Sequence, residues 1–161
     1  MSSKAFALLF GVFALLVVVQ SRGQTKGDRG KEFRGYVEVN GTSYFIETST
    51  PLYRDEAQVE CNALNMSLIS FPSEQKFDDT VQWLSDNGFA SNWVWTGALK
   101  VANSIYWLWE PSGLEFTYFR WAPNQPSEIG NQDRLCINFR GLSQGWDDDY
   151  CDGFIMGYIC E

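Results

Sequence analysis

The first strong pattern in the chain is an unbroken apolar run, Ala5–Val19, preceded by Lys4 and followed by Gln20-Ser21-Arg22-Gly23. Its 15 residues fall short of the roughly 20 that a membrane-spanning helix needs. The order of positive, apolar and small residues is that of a secretory signal peptide over 1–23, with Ser21 as an alternative cleavage position. Residues 24–35, rich in Lys, Arg, Gly and Asp, predict a flexible leader. Alternation then sets in: Tyr36-Val-Glu-Val39 and Thr42–Glu47 flank Asn40-Gly41, a pair that accepts the positive φ of a type I′ turn, so a β-hairpin is expected. Tyr53, Ala57, Cys61 and Leu64 recur at helical spacing and predict a helix over 52–64 with Cys61 on its buried face. Ser73 is a candidate N-cap for a second helix, Phe77, Val81 and Leu84 mark its apolar side, and Asn87-Gly88 ends it.

Beyond residue 90 the periodicity changes. Trp93–Leu99 has strand-forming residues around a glycine, residues 100–133 read as a long aromatic loop region, and Leu135, Ile137 and Phe139 alternate as a strand. Trp146–Cys151 and Met156–Cys160 predict two further short strands. A hairpin, two helices, a long loop region and short strands make a mixed α+β domain. Connections as long as 100–133 are uncommon and are often functional.

Composition narrows the function. The chain has 161 residues, enough for one domain with a real core, and a formal charge of −8 that becomes −10 once Lys4 and Arg22 leave with the signal. Such acidity disfavours nucleic acid and anionic membranes as partners and suits cations. Four cysteines, at 61, 136, 151 and 160, in a chain expected to be secreted imply two disulfides with three possible pairings. No Cys-x-x-Cys is present, which argues against a zinc site. Asn40-Gly-Thr42 and Asn65-Met-Ser67 are glycosylation sequons, making Asn40 and Asn65 candidate acceptors.

Taken in order, several motifs resemble the C-type lectin-like domain from about Tyr36 to Glu161. Trp95-Thr-Gly-Ala-Leu99 resembles the family's Trp-Ile-Gly-Leu strand, with Thr96 and Ala98 as departures. Trp109-Glu-Pro-Ser-Gly113 and Trp121 resemble its aromatic loop anchors, Gly145-Trp-Asp-Asp148 its Trp-Asn-Asp strand, and Ile159-Cys-Glu161 its ending. The resemblance implies a fold of two helices flanking small antiparallel sheets with a long loop region, and the pairings Cys61–Cys160 and Cys136–Cys151. It also implies a domain spanning 36–161.

In sugar-binding members of the family a calcium ion at the long loop coordinates adjacent sugar hydroxyls. The chemistry is reasonable, since calcium takes six to eight oxygen ligands and hydroxyls can complete the shell. Carried over, Gln125-Pro126-Ser127 takes the place of the ligating triplet, with Pro126 expected to be cis. Asp133 is the nearby acid, placed three residues before Cys136 where the family usually has two, and Asp147 and Asp148 take the Asn-Asp positions. The metal ligands implied are Gln125, Asp133, Asp147 and Asp148, and the same set with Ser127 would contact carbohydrate. Gln125 leans towards galactose-type glycans, while Ser127-Glu-Ile-Gly-Asn131 lacks the aromatic that usually stacks on that sugar. Ser127 is a poorer calcium ligand than Asp or Asn.

The expected function is therefore a secreted, extracellular, calcium-dependent lectin that recognises glycans. The alternative is a protein-binding module for extracellular partners, with a degenerate calcium site. Catalysis is not expected. Gly141-Leu-Ser143-Gln-Gly145 matches a nucleophile-elbow pattern, but that motif needs a histidine base and the chain has no histidine. Trp95, Trp107, Trp109, Trp121 and Trp146 are expected to be hydrophobic anchors of the loop region.

Overall fold

The computed structural model describes residues 30–100, 106–127 and 145–161, together with the backbone of 135–140. The signal peptide, residues 24–29 of the leader and Asp133 lie outside the described residues. The chain forms β1 (Arg34–Val39), β2 (Thr42–Leu52), α1 (Arg54–Ala63), α2 (Glu74–Asp86), β3 (Trp93–Lys100), β4 (Trp107–Trp109), β5 (Leu114–Glu115), β6 (Leu135–Arg140), β7 (Trp146–Tyr150) and β8 (Met156–Cys160).

The hairpin forms where the alternation placed it. Asn40 (φ 50°) and Gly41 (φ 80°) both take the left-handed conformation that a type I′ turn demands, and Val39 pairs with Thr42. Residues 31–35, expected within a flexible leader over 24–35, make specific contacts. The Lys31 backbone exchanges two hydrogen bonds with the Asn92 side chain, both 3.0 Å, and Phe33 and Thr48 bond through backbone and hydroxyl. The Phe33 ring then meets Phe89 edge-on, so residues 31–35 already belong to the packed domain.

Both helices follow from their apolar periodicity. On α1, Ala57 and Cys61 are fully buried. On α2, the Ser73 hydroxyl accepts from the Lys76 amide at 3.3 Å, Phe77 and Leu84 face the core, and Gly88 (φ 83°) ends the helix. Cys61 and Cys160 are disulfide-bonded across a 99-residue separation, tying α1 to β8. Cys151 is also disulfide-bonded, while the side chain of Cys136, its expected partner, lies outside the described residues.

The strands form one hydrogen-bonded path, β1-β2-β8-β3-β4-β5, with β6 pairing β3 and β7. All pairings are antiparallel except β3 with β8, where Val94 lies opposite Gly157 and Trp95 opposite Tyr158. β4 and β5 fall inside the stretch expected to be loop; at three and two residues they are too short to show a period. Two apolar clusters fill the interior. One packs Phe71, Phe77, Leu84, Trp107, Trp109, Phe116 and Trp146 between α2 and the aromatic loop region. The other gathers Ala57, Cys61, Leu68, Trp95, Met156 and Tyr158 beneath α1.

Candidate functional site

The site is built outward from Trp146. Its side chain is fully buried and lies against Phe71, Phe77, Trp109, Phe116, Tyr118 and Trp121 at centroid distances of 5.3–6.4 Å. Main-chain bonds then join the loop to β7. Trp146 N–H donates to Arg120 O at 2.7 Å, and Ala122 N–H donates to Trp146 O at 2.9 Å. Gly145 is required at this crossing: it sits at φ 84°, and a Cβ there would lie 2.3 Å from Arg120 O.

From this anchor β7 carries Asp147 and Asp148, each only 4 % exposed. On the loop side, Asn124 (φ 64°) makes a turn closed by Gln125 N–H donating to Ala122 O at 3.0 Å, and the Gln125–Pro126 bond is cis. The chain thereby returns to β7. Ser127 N–H donates to Asp148 Oδ1 at 2.6 Å, and the Ser127 hydroxyl lies 3.2 Å from the same oxygen. Gln125 Oε1 is buried and has no hydrogen-bond partner.

The structure thus brings Ser127 against Asp148, with Gln125 two residues earlier in the same turn and Asp147 next to Asp148 along β7. An orphaned amide oxygen and a nearly buried carboxylate both offer the oxygen lone pairs that a hard cation takes. Among the described residues no group of three or more acids and cysteines converges to hold a metal; Asp133 is not among those residues. The chain's own residues therefore fit a calcium ion in part.

Several features escaped the sequence. Tyr118 packs edge-on against Trp146, its hydroxyl is buried without a partner, and burial pushes its pKa up. Arg54 opens α1 as if exposed, yet it is wholly buried and pairs with Glu110 at 2.5 Å. Glu47 is fully buried where it accepts from the Ser49 and Thr50 amides and pairs with Arg34 at 2.5 Å. No sequence pattern marks the Arg54–Glu110 and Arg34–Glu47 pairs, because the two partners of each come from different elements. The two sequon asparagines, Asn40 and Asn65, are exposed and take φ values of 50° and 55°. Ser143 lies outside the described residues. Among the described residues no helix is long and apolar enough to cross a membrane.

The two-helix, disulfide-tied frame with a long aromatic loop leading to β7 is the architecture of a C-type lectin-like domain. Among solved structures, a complex of SPL-1 with GlcNAc shares the fold at a TM-score of 0.64 and 20 % identity, covering 78 % of this chain and 90 % of that one. A mouse scavenger receptor C-type lectin carbohydrate-recognition domain matches at a TM-score of 0.64 and 21 % identity, covering 78 % and 92 %. A Ca2+-dependent type II antifreeze protein in its Ca2+-free form matches at 0.63 and 24 %, covering 78 % and 94 %. No protein-family model matches the chain. In sequence, the C-type lectin mosGCTL-7 of Aedes aegypti is 30 % identical over 106 residues, 63 % of this chain and 71 % of the relative. A perlucin-like protein of Mytilus galloprovincialis is 23 % identical over 127 residues, 78 % of this chain and 80 % of the relative. This chain belongs to the C-type lectin family.

Proposed function

We propose that the domain is a secreted lectin that binds glycans through a calcium ion held by Gln125, Asp133, Asp147 and Asp148. The observation that carries this reading is Gln125 Oε1, a buried carbonyl oxygen without a hydrogen-bond partner, on the turn that the Ser127–Asp148 contact joins to β7. Burying such a group unpaired costs about 1–3 kcal/mol, and a cation would remove that cost. The ion would supply the positive centre that sugar hydroxyls complete, and the protein's residues would orient it. Gln125 favours galactose-type glycans. The domain acts as a recognition module without catalysis, and its acidity suits neither nucleic acid nor anionic membranes as partners.

The test is a glycan array with the mature protein in calcium and again in chelator, paired with isothermal titration of calcium. Chelator-sensitive retention on terminal galactose, with heat on calcium addition, is the expected result. Enrichment on mannose-type glycans overturns the sugar preference, and absence of both calcium heat and thermal shift overturns the cation site. The Ser127–Asp148 hydrogen bonds, which join the loop to β7 through the chain's own donors, favour one second reading: a protein-binding module of the same fold. Glycan retention indifferent to chelator, or none at all beside capture of an extracellular protein, supports that reading.

A further inference from the structure

Two donors from one residue converge on a single carboxylate oxygen at the candidate site. Ser127 N–H reaches Asp148 Oδ1 at 2.6 Å, the length of a charge-assisted bond, and the Ser127 hydroxyl lies 3.2 Å from that oxygen. A carboxylate oxygen offers about two lone-pair directions, so these two donors satisfy it. Asp148 is 4 % exposed, which leaves water little access to replace them. On its other side the loop is already joined to β7 through Arg120 and Ala122. The Ser127–Asp148 contact is therefore the link that closes the 122–127 turn onto the strand.

We propose that Ser127 is a latch standing in for the cation, holding the loop on β7 when no ion is bound and competing with the ion for Asp148 Oδ1. The proposal rests on the reading of this loop as a cation site. The residue type matters because a hydroxyl both donates and accepts, whereas a carboxylate only accepts. With Ser127 the Asp148 carboxylate of the ion-free loop is hydrogen-bonded from within the chain. An ion held at Oδ1 would take the place of the weaker hydroxyl bond, and the hydroxyl could then accept where it had donated. An Asp at 127 could not donate from its side chain. It would set a second negative charge against Asp148, open the loop without ion, and make closure depend on calcium. Ser127 thereby exchanges calcium affinity for a loop that is formed in advance.

The test is amide hydrogen exchange of residues 122–127 in chelator and in calcium, for wild type, Ser127→Ala and Ser127→Asp. Amides of β8 serve as the control for folding, and calcium affinity is titrated in parallel. In chelator the wild-type Ser127 amide should be protected, within about twofold of its value in calcium. Ser127→Asp should lose about tenfold or more of that protection in chelator, regain it in calcium, and bind calcium about tenfold more tightly, the scale of a hydrogen bond to a charged group. Ser127→Ala keeps the main-chain bond and should lose about threefold. A wild-type amide that exchanges freely in chelator, or a Ser127→Asp loop as protected as wild type, overturns the latch. A protected amide in a protein that takes up no calcium keeps the loop closure but overturns the competition with an ion, and it sinks the calcium-dependent lectin reading as well. Calcium binding with an unprotected ion-free amide overturns the latch and leaves the lectin reading standing.

Discussion

Replacing Trp146 with alanine should remove much of the domain's stability and loosen the candidate site together. Its indole is fully buried and has six aromatic neighbours at 5.3–6.4 Å, five of them edge-on within 6.0 Å. Truncating a buried Trp to Ala costs about 3–5 kcal/mol, and favourable ring pairs add roughly 0.5–1.5 kcal/mol each, far from additively. Against that, Trp146 Nε1 is buried without a hydrogen-bond partner, so its removal returns about 1–3 kcal/mol. The net expectation is about 3–4 kcal/mol, a large share of the roughly 5–15 kcal/mol typical of a domain. Trp146→Phe keeps a ring among the same neighbours and deletes the unpaired N–H, so it should cost less than about 1.5 kcal/mol. Equilibrium urea unfolding with disulfides intact, followed by far-ultraviolet circular dichroism, measures both variants. The alanine variant should melt about 10–20 °C lower. Calcium affinity of the folded alanine variant should also fall, because Asp147 and Asp148 follow directly on the lost anchor. An alanine variant within about 1 kcal/mol of wild type, or a phenylalanine variant as costly as alanine, would falsify this account of the core.

Other outcomes follow from individual contacts. Asp148→Asn keeps an acceptor for Ser127 N–H but loses the charge, so calcium titration should show a loss of at least about tenfold in affinity with melting temperature in chelator little changed. Glu110→Ala leaves the buried Arg54 guanidinium with the longer Asp55 contact at 3.3 Å and should cost about 3 kcal/mol in urea unfolding; Arg54→Met added to it should restore part of that, and no recovery would refute a charge-based cost. Loss of Cys61–Cys160 by Cys→Ser at both positions should cost about 4–5 kcal/mol, set by its 99-residue separation. Burial pushes the Tyr158 phenol from 10.0 up to about 12. The folded state thus holds that proton more tightly than the unfolded chain, so its contribution is complete below pH 10 and is lost between pH 10 and about 12. Stability measured by urea unfolding should fall across that window by on the order of 2–3 kcal/mol, and Tyr158→Phe should flatten the fall.

The elements written in local chemistry were legible before any coordinates. Ser73 caps α2, Asn40-Gly41 turns the hairpin, and Cys61 faces inward, because each depends on neighbours a few residues away. What depends on distant partners was not. The leader was expected to be loose through residue 35, yet Asn92 pairs with the Lys31 backbone across 61 residues. The short β4 and β5 carry no period, and their place is set by Trp109 and Phe116 stacking at 4.3 Å. At the site, the family resemblance placed Gln125, Ser127, Asp147 and Asp148 in one region. It read Ser127 only as a poor ligand, since its role as a donor to Asp148 appears only when the loop meets β7.

The position of β8 has a consequence for how the molecule is made. It follows every other strand in the chain, yet it lies between β2 and β3 in the middle of the sheet. While a ribosome is still extending the chain, β2 and β3 have no partner between them and both apolar clusters lack one wall. Residues added at about 5–20 per second leave that gap open for seconds. The nascent chain must stay unaggregated with its central seam open until Met156–Cys160 emerges, and the Cys61–Cys160 bond can form only then. The decisive step in assembling this sheet is therefore the insertion of β8, which cannot begin until every other strand has been made.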